Sequence, residues 1–228
     1  MPIRQFDGPI RLTEQLAAAI EDRRDPIVVE HSVLTLVRQR IFGILADSED
    51  QNDHHPLRSD PVFKLMADHL PDDPDRSSQP TLSRFENALS IPDRLRLRDV
   101  RVDLFIPWFD QLPPPLTLDG DAFDDPAQGE PQLIRFQGSY AQYHYLPIVI
   151  TCAENDPVLL VGLRHGTCEP SLGVDNDLRY RVGRLRSGPS PSLPSFRSTK
   201  IHLLSLIPLV YQHFWRPPPV LERSICMT

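Results

Sequence analysis

The pattern of apolar and polar residues predicts a helical region over residues 1 to 112. Asp25 and Pro26 indicate one helix start, because an acidic N-cap followed by proline at the first helical position is a common start signal. The apolar residues after this signal share one helical stripe, formed by Ile27, Leu34, Val37, Ile41 and Leu45. The same signal at Asp60 and Pro61 predicts another, shorter helix.

Capping residues and prolines place the other helices of this region. Thr13 can cap a helix that runs to about residue 22. Ser78 or Thr81 begins another predicted helix, over residues 82 to 89, which Pro92 ends, and residues 94 to 106 are predicted to form the last. Its inward positions are Leu95, Val102 and Phe105.

Residues 116 to 164 change to a strand pattern. Short apolar runs predict strands at residues 116–119, 143–152 and 158–163. The connections between them are too short for helical crossovers, which favours antiparallel pairing. A helix over residues 175–186 follows, so the predicted fold class is α+β.

Charge and composition narrow the class of function. The net charge of -7 argues against a protein that coats nucleic acid by bulk charge, although a local basic face is compatible with it. Only Lys64 and Lys200 among the 24 basic residues are lysines; the rest are arginines, whose planar fork suits phosphate. Three cysteines without CxxC spacing predict a reduced, cytoplasmic compartment. The apolar segment 201–215 is shorter than the roughly 20 residues that a membrane span needs, so no membrane association is predicted.

Carboxylates follow the first predicted strand. Asp119 ends that strand, and Asp121, Asp124 and Asp125 come next. Mg²⁺ prefers such oxygen ligands, and the alternative is a solvated acidic turn. The choice between Asp119 and Asp121 as metal ligand stays open. The run Asp53–His55 lies in a predicted polar loop without further ligand spacing, so it is not interpreted as a metal site.

The segment from Ser77 to Asn87 is a candidate DNA-binding element. A helix that begins here presents Thr81, Ser83 and Arg84 near its start, so short polar side chains and an arginine can contact DNA. The preceding helix, predicted over residues 61 to 70, would complete a helix-turn-helix-like pair. The alternative is an ordinary amphipathic helix with a capping box that begins at Ser83.

Several motifs follow one another in a fixed order. They are Ser78–Asn87, Leu116–Asp121, Gly138–Tyr140, Tyr145–Ile150 and Leu159–Arg164. This order closely resembles the DDE transposases of bacterial insertion sequences, over about residues 30 to 186. Two segments depart from the family pattern. Gln128 replaces the histidine of Asp-Asp-Pro-x-His-Gly, and the segment 163–167 differs from Leu-Arg-Pro-Gly-Asn at His165 and Thr167.

The resemblance implies a domain organisation, a cofactor and partners. Residues 1–112 would be a helical DNA-binding and dimerisation region, and residues 113–186 the first half of a ribonuclease-H-like catalytic domain. Asp119 would be the first of three metal-binding carboxylates in a catalytic site for two Mg²⁺ ions, which promote phosphodiester cleavage and strand transfer. The implied partners are DNA, at the terminal inverted repeats of the element, and a second copy in a homodimer.

The family pattern is incomplete in this chain. No Arg-x-Asp-Ser-Gly-Phe context with a second aspartate follows the last predicted helix. Residues 187–228 contain a single acid, Glu222, and seven prolines, so this tail is expected to pack loosely. A truncation or frameshift after about residue 186 accounts for both features. The expected protein is an inactive transposase fragment, or alternatively a non-catalytic DNA-binding fragment that interferes with the full-length transposase.

Overall fold

The computed structural model describes residues 2–48, 50–106, 117–126, 135–137, 142–153, 157–169 and 173–187. Within these ranges the protein contains eight α-helices and six β-strands, which confirms the α+β prediction. The chain divides after Val100 into two compact units, unit 1 and unit 2. The predictions about Pro107–Leu116 and about the tail from Gly188 fall outside the described residues.

Unit 1 is helical. In chain order its helices are α1 (Pro2–Ile10), α2 (Leu12–Ala18), α3 (Val33–Leu45), α4 (His54–Leu57), α5 (Pro61–Met66), α6 (Gln79–Asn87) and the first part of α7 (Ile91–Phe105). The residues that they bury most deeply include Leu36, Val37, Ile41, Phe42, Phe63 and Leu82. Removal of this apolar surface from water is the main stabilising term of the unit.

Helix α1 was not predicted, and α2 begins earlier than the helix predicted after Thr13. Arg11 takes a left-handed conformation, with φ of 52°, between α1 and α2. Thr13 therefore lies inside α2 rather than at its N-cap. Its backbone N–H and its hydroxyl both donate to the carboxylate of Asp7, at 3.0 and 2.5 Å. Helix α2 ends at Ala18, before the predicted end near residue 22.

Asp25 caps a short 3-10 turn, Pro26–Val28, and not the long helix that the sequence predicted. Helix α3 begins later, after Ser32, whose Oγ accepts the N–H of Thr35 at 3.2 Å. The predicted apolar stripe therefore loses its first member, and Ile27 is 92% exposed. The local start signal is real, but a second cap downstream sets where the long helix begins.

The Asp60 prediction is confirmed, because its carboxylate accepts the N–H of Phe63 at 2.6 Å at the start of α5. This helix stops at Met66, four residues earlier than predicted. Pro92, predicted to end the helix before it, lies in the first turn of α7, where its missing N–H costs little. Leu95 is exposed on α7, contrary to the prediction.

A buried charge network joins α3, α4 and α6. Arg40 donates through Nε to the carboxylate of Glu86 at 2.6 Å and through Nη1 to Nε2 of His54 at 3.0 Å. Acceptance at Nε2 requires a neutral imidazole. Burial, reinforced by the charge of Arg40, lowers the pKa of His54 to about 4. The polar-loop interpretation of this histidine is wrong: His54 is a core residue, and a Cβ at Gly43 would overlap its ring.

The strands in the described part of unit 2 form two antiparallel sheets. In chain order they are β1 (Leu118–Ala122), β2 (Asp125–Pro126), β3 (Arg135–Gln137), β4 (Gln142–Tyr145), β5 (Ile148–Cys152) and β6 (Val158–Gly162), followed by helix α8 (Val174–Ser187). The first sheet has the order β1-β5-β6 and the second β2-β4-β3. The antiparallel pairing of β5 with β6 and the presence of α8 confirm the predictions.

The predicted single strand over residues 143–152 is wrong, because it divides between the two sheets. Strand β4 ends at Tyr145 and β5 begins at Ile148. Pro147 lies between them and has no N–H to donate to a ladder. Leu146 instead donates its N–H to the carbonyl of Arg164 at 3.0 Å. The short second sheet was not predicted, since its strands are only two to four residues long.

One face of the first sheet packs against α8. Ile148, Ile150 and Leu160 form a buried cluster with Leu118 from β1 and two residues of α8, Val174 and Leu178. A second cluster contains Phe105, Cys152 and Leu159, with Leu118 and Leu185 against it. Because side chains alternate along a strand, this packing leaves the other face of β1 directed away from α8.

Acid should destabilise unit 1 through His54. Its folded pKa of about 4 lies below the ordinary 6.5, so the unfolded chain takes up the proton first and stability falls as the pH drops from about 6.5 to about 4. We expect the urea midpoint of His54→Gln to depend less on pH than that of the wild type. His55→Gln, at the exposed neighbouring histidine, is the control and should follow the wild type. Equal pH dependence in all three proteins would contradict the assignment.

Candidate functional site

The carboxylates of β1 lie on its open face. Asp119 is the second residue of the strand and pairs with Thr151, while Asp121 pairs with Val149. Both aspartates are exposed. A Cβ at Gly120, between them, would lie 3.9 Å from side-chain atoms of Ile150 and Val174, which places the even-numbered positions of β1 toward α8. Asp119 and Asp121 therefore share the opposite face, about 7 Å apart along the strand.

This arrangement suits Mg²⁺ in part. One or two protein carboxylates with water and phosphate are a common set of Mg²⁺ ligands, and Asp119 and Asp121 supply two carboxylates on one face. Among the described residues, no group of three or more His, Cys, Asp or Glu side chains is gathered closely enough to hold a metal ion. The strand continues to Ala122 through Gly120, so strand geometry does not decide between the two aspartates.

His144 connects the two segments that depart from the family pattern. It is buried on β4, and its Nε2–H donates to the carbonyl of Gly166 at 2.9 Å. Its Nδ1 lies 3.6 Å from the Asp124 carboxylate, at the start of the first segment. Sequence reasoning missed this histidine, although a polar residue at an inward position of a strand is the signal that could have found it.

The turn after β6 has its own side-chain contacts. Nε2 of His165, which replaces the proline of the family motif, lies 2.9 Å from Sγ of Cys168, and its Nδ1 lies 3.0 Å from the hydroxyl of Thr167. Arg164 donates through Nε to the carbonyl of Leu146 at 3.0 Å, and burial lowers its pKa. The substituted residues thus fold into a specific turn against β4.

The three candidate DNA-binding residues lie together on α6. Ser78 is the N-cap, and its hydroxyl is 3.0 Å from that of Thr81. Ser83 accepts from the side chain of Asn87 at 3.3 Å, and Arg84 is exposed. Residues Leu82, Phe85 and Glu86 form the buried side. Thr81, Ser83 and Arg84 therefore occupy the parts of α6 that its core contacts leave accessible.

The structure changes two local interpretations of α6. Ser83 lies in the second turn rather than at the N-cap, and Glu86 binds Arg40, so the alternative capping box does not form. Residues 67–78 separate α5 from α6. A helix-turn-helix joins its helices by a turn of three or four residues, so this pair has a much longer connection than that motif.

These observations define the class: an α+β protein with an exposed aspartate on the first strand of an antiparallel sheet. The profile of the family "transposase DDE domain group 1" matches residues 1–191. The chain belongs to this family, as its motifs predicted. No curated protein and no solved structure matches the chain significantly.

Family membership bears on substrate and cofactor. The family acts on DNA and generally uses divalent metal ions. Among the described residues, no helix is both long and apolar enough to cross a membrane.

Gly166 should be intolerant of a side chain. A Cβ there would overlap both the ring and the carbonyl oxygen of the buried His144, and such overpacking typically costs about 1–3 kcal/mol. We expect Gly166→Ala to lower the thermal midpoint of unit 2. Gly183→Ala on α8 is the matched control, because its Cβ would meet no atom within 4 Å and alanine favours a helix. A Gly166→Ala protein as stable as the control would refute the close contact.

Proposed function

We propose that this chain is a DDE transposase polypeptide that binds the terminal inverted repeats of its insertion sequence. In this proposal residues 1–112 carry DNA binding and dimerisation, and Asp119 is the first metal-binding carboxylate of a ribonuclease-H-like domain that begins at residue 113. The observation that carries the proposal is the match to the family over residues 1–191, with Asp119 exposed on the first strand of the sheet.

The order of elements supports the ribonuclease-H-like assignment. Such a sheet begins with three antiparallel strands in sequence, followed by a helix. The sheet β1-β5-β6 is antiparallel throughout, and α8 packs on one of its faces. The insertion between β1 and β5 carries the second sheet, which leaves the pairing of β1 with β5 intact.

The open face of β1 supports a catalytic role for Asp119. Five ladder pairs with β5 hold the backbone of β1 in place, so the carboxylate projects from a fixed point. Asp121 lies on the same face and would serve as a second oxygen donor. In a two-metal site the ions activate the attacking oxygen and stabilise the leaving oxygen of a phosphodiester, and Asp119 would hold one of these ions.

The start of α6 supports DNA contact. Its N-terminal end carries a positive partial charge that favours phosphate. Thr81 and Ser83 add hydroxyl groups, and Arg84 adds an exposed guanidinium whose Nε donates to the carbonyl of Pro80 at 3.1 Å. Glu86 anchors the helix to α3 from its buried side, so the polar side chains stay presented to solvent.

DNA binding is tested with duplexes that carry the terminal repeats. We expect Arg84→Ala to weaken binding and to reduce the slope of log K against log salt by about 0.9, the loss of one phosphate contact. Arg179→Ala on α8 is the control, since it removes the same charge from an exposed pair with Asp175. Equal affinities and slopes for both variants would contradict the assignment of α6.

Strand cleavage by this chain alone should be absent, even with Mg²⁺ or Mn²⁺. Asp119 is the only residue that matches a family carboxylate, so the second ion of a two-metal site has no matched anchor. The measurement compares nicking of repeat DNA by the wild type, Asp119→Ala and Asp121→Ala. Metal-dependent nicking that disappears in Asp119→Ala would show a complete site and overturn this expectation.

The alternative function is a non-catalytic DNA-binding fragment that interferes with full-length transposase. One observation favours it: the proposed DNA-binding residues all lie in unit 1, whereas Asp119 lies in unit 2. In this alternative, DNA binding would not require the catalytic strand. In the same assays, this alternative predicts repeat binding that is unchanged by Asp119→Ala.

A further inference from the structure

Arg76 and Ser77, directly before the N-cap of α6, are buried with unbonded polar atoms. Arg76 is 3% exposed and Ser77 is 1% exposed. Nε and Nη2 of Arg76 and Oγ of Ser77 have no hydrogen-bond partner within the described part of the chain. Buried polar groups are normally bonded, and a buried charge without a partner is especially costly. These atoms therefore keep hydrogen-bonding capacity that the described residues leave unused and that a ligand can take up.

The backbone at these two residues is fixed in advance of any ligand. Gln39, fully buried on α3, donates through Nε2 to the carbonyl of Ser77 at 2.8 Å and accepts the Ser77 N–H at 3.0 Å. The N–H of Arg76 donates to the carbonyl of Arg58 at 2.9 Å. These bonds fix the backbone from which the Arg76 and Ser77 side chains project, which limits the backbone entropy lost on binding.

The neighbouring charged groups leave the Arg76 guanidinium without a bonded acid. Burial, together with the charge of Arg76, lowers the pKa of His31 and of His69, so both imidazoles are neutral at pH 7. Asp73 attracts Arg76 without bonding to it. The Asp73 carboxylate instead accepts the N–H of Leu70 at 2.7 Å and lies 3.3 Å from Nδ1 of His69. Arginine keeps its charge in proteins, and no acid among the residues that the structure describes bonds to Arg76.

We propose that Arg76, Ser77 and the N-terminus of α6 form a binding site for a single phosphate group, filled by a backbone phosphate of bound DNA. The guanidinium fork, a hydroxyl and a helix N-terminus are the groups that proteins use for phosphate oxygens. A phosphate contact fixes the position of the protein on the duplex without reading bases. The site would thereby set how Thr81, Ser83 and Arg84 meet the DNA, and in this respect it rests on the proposed function.

Inorganic phosphate tests the site without DNA. In phosphate-free buffer, Arg76→Met should melt at or above the wild-type temperature, because it removes a buried unbonded charge. Potassium phosphate, compared with chloride at equal ionic strength, should raise the melting temperature of the wild type and of Arg179→Met, but not of Arg76→Met. An equal rise in all three proteins, or a lower melting temperature of Arg76→Met in phosphate-free buffer, would overturn the site.

A second variant covers the case in which Arg76→Met does not fold. Arg76→Lys keeps the charge but loses the planar fork, so it should fold and respond to phosphate more weakly than the wild type. A response equal to that of the wild type would show that the fork does not bind the anion.

DNA binding distinguishes a backbone phosphate of DNA from a free phosphate anion as the ligand of this site. For repeat DNA, Arg76→Lys and any folded Arg76→Met should bind more weakly, and the methionine variant should lose about 0.9 from the salt slope. A normal slope despite a lost phosphate response would mean that the site takes free anions only, which overturns its assignment to DNA. A wild type that binds no DNA but shows the Arg76-dependent phosphate response would refute the proposed function and leave the anion site standing.

Discussion

The buried ion pair between Arg40 and Glu86 determines where the candidate DNA-binding surface lies. Breaking such a pair by removing one partner costs about 3–5 kcal/mol, because it leaves an uncompensated charge in the core. Glu86 belongs to α6 and Arg40 to α3, so this contact sets the side of α6 that faces inward. Gln39, the residue before Arg40, holds the Ser77 backbone. Two consecutive residues of α3 therefore position both Arg84 and the proposed phosphate site.

In unit 2, a buried histidine also holds separate segments of the chain together. His144 joins the segment that begins at Asp124 to the turn at Gly166, and both segments depart from the family pattern at nearby positions. The turn at His165 acquires new side-chain partners, Thr167 and Cys168, in place of a proline. The described part of unit 2 thus retains an organised second sheet beside the strand that carries Asp119.

Several elements could be predicted because their signals are local. The Asp60 cap and the Ser78 start depend on atoms within a few residues, and the short connection between β5 and β6 leaves antiparallel pairing as the economical arrangement. Predictions failed where two local signals competed. Asp25 and Ser32 are both good caps, and sequence spacing did not show which one begins α3. Likewise, an apolar run on both sides of Pro147 suggested one strand where two sheets meet.

The sequence by itself determined the family, the α+β class, the candidate acid Asp119 and the polar start of α6, since each is encoded in a short contiguous motif. Only the tertiary structure decided which polar residues are buried and what they bind. Arg40 meets Glu86 across 46 positions, and Gln39 meets Ser77 across 38. Composition and periodicity carry no information about such pairs, because their energy depends on burial and geometry that exist only after the helices have packed.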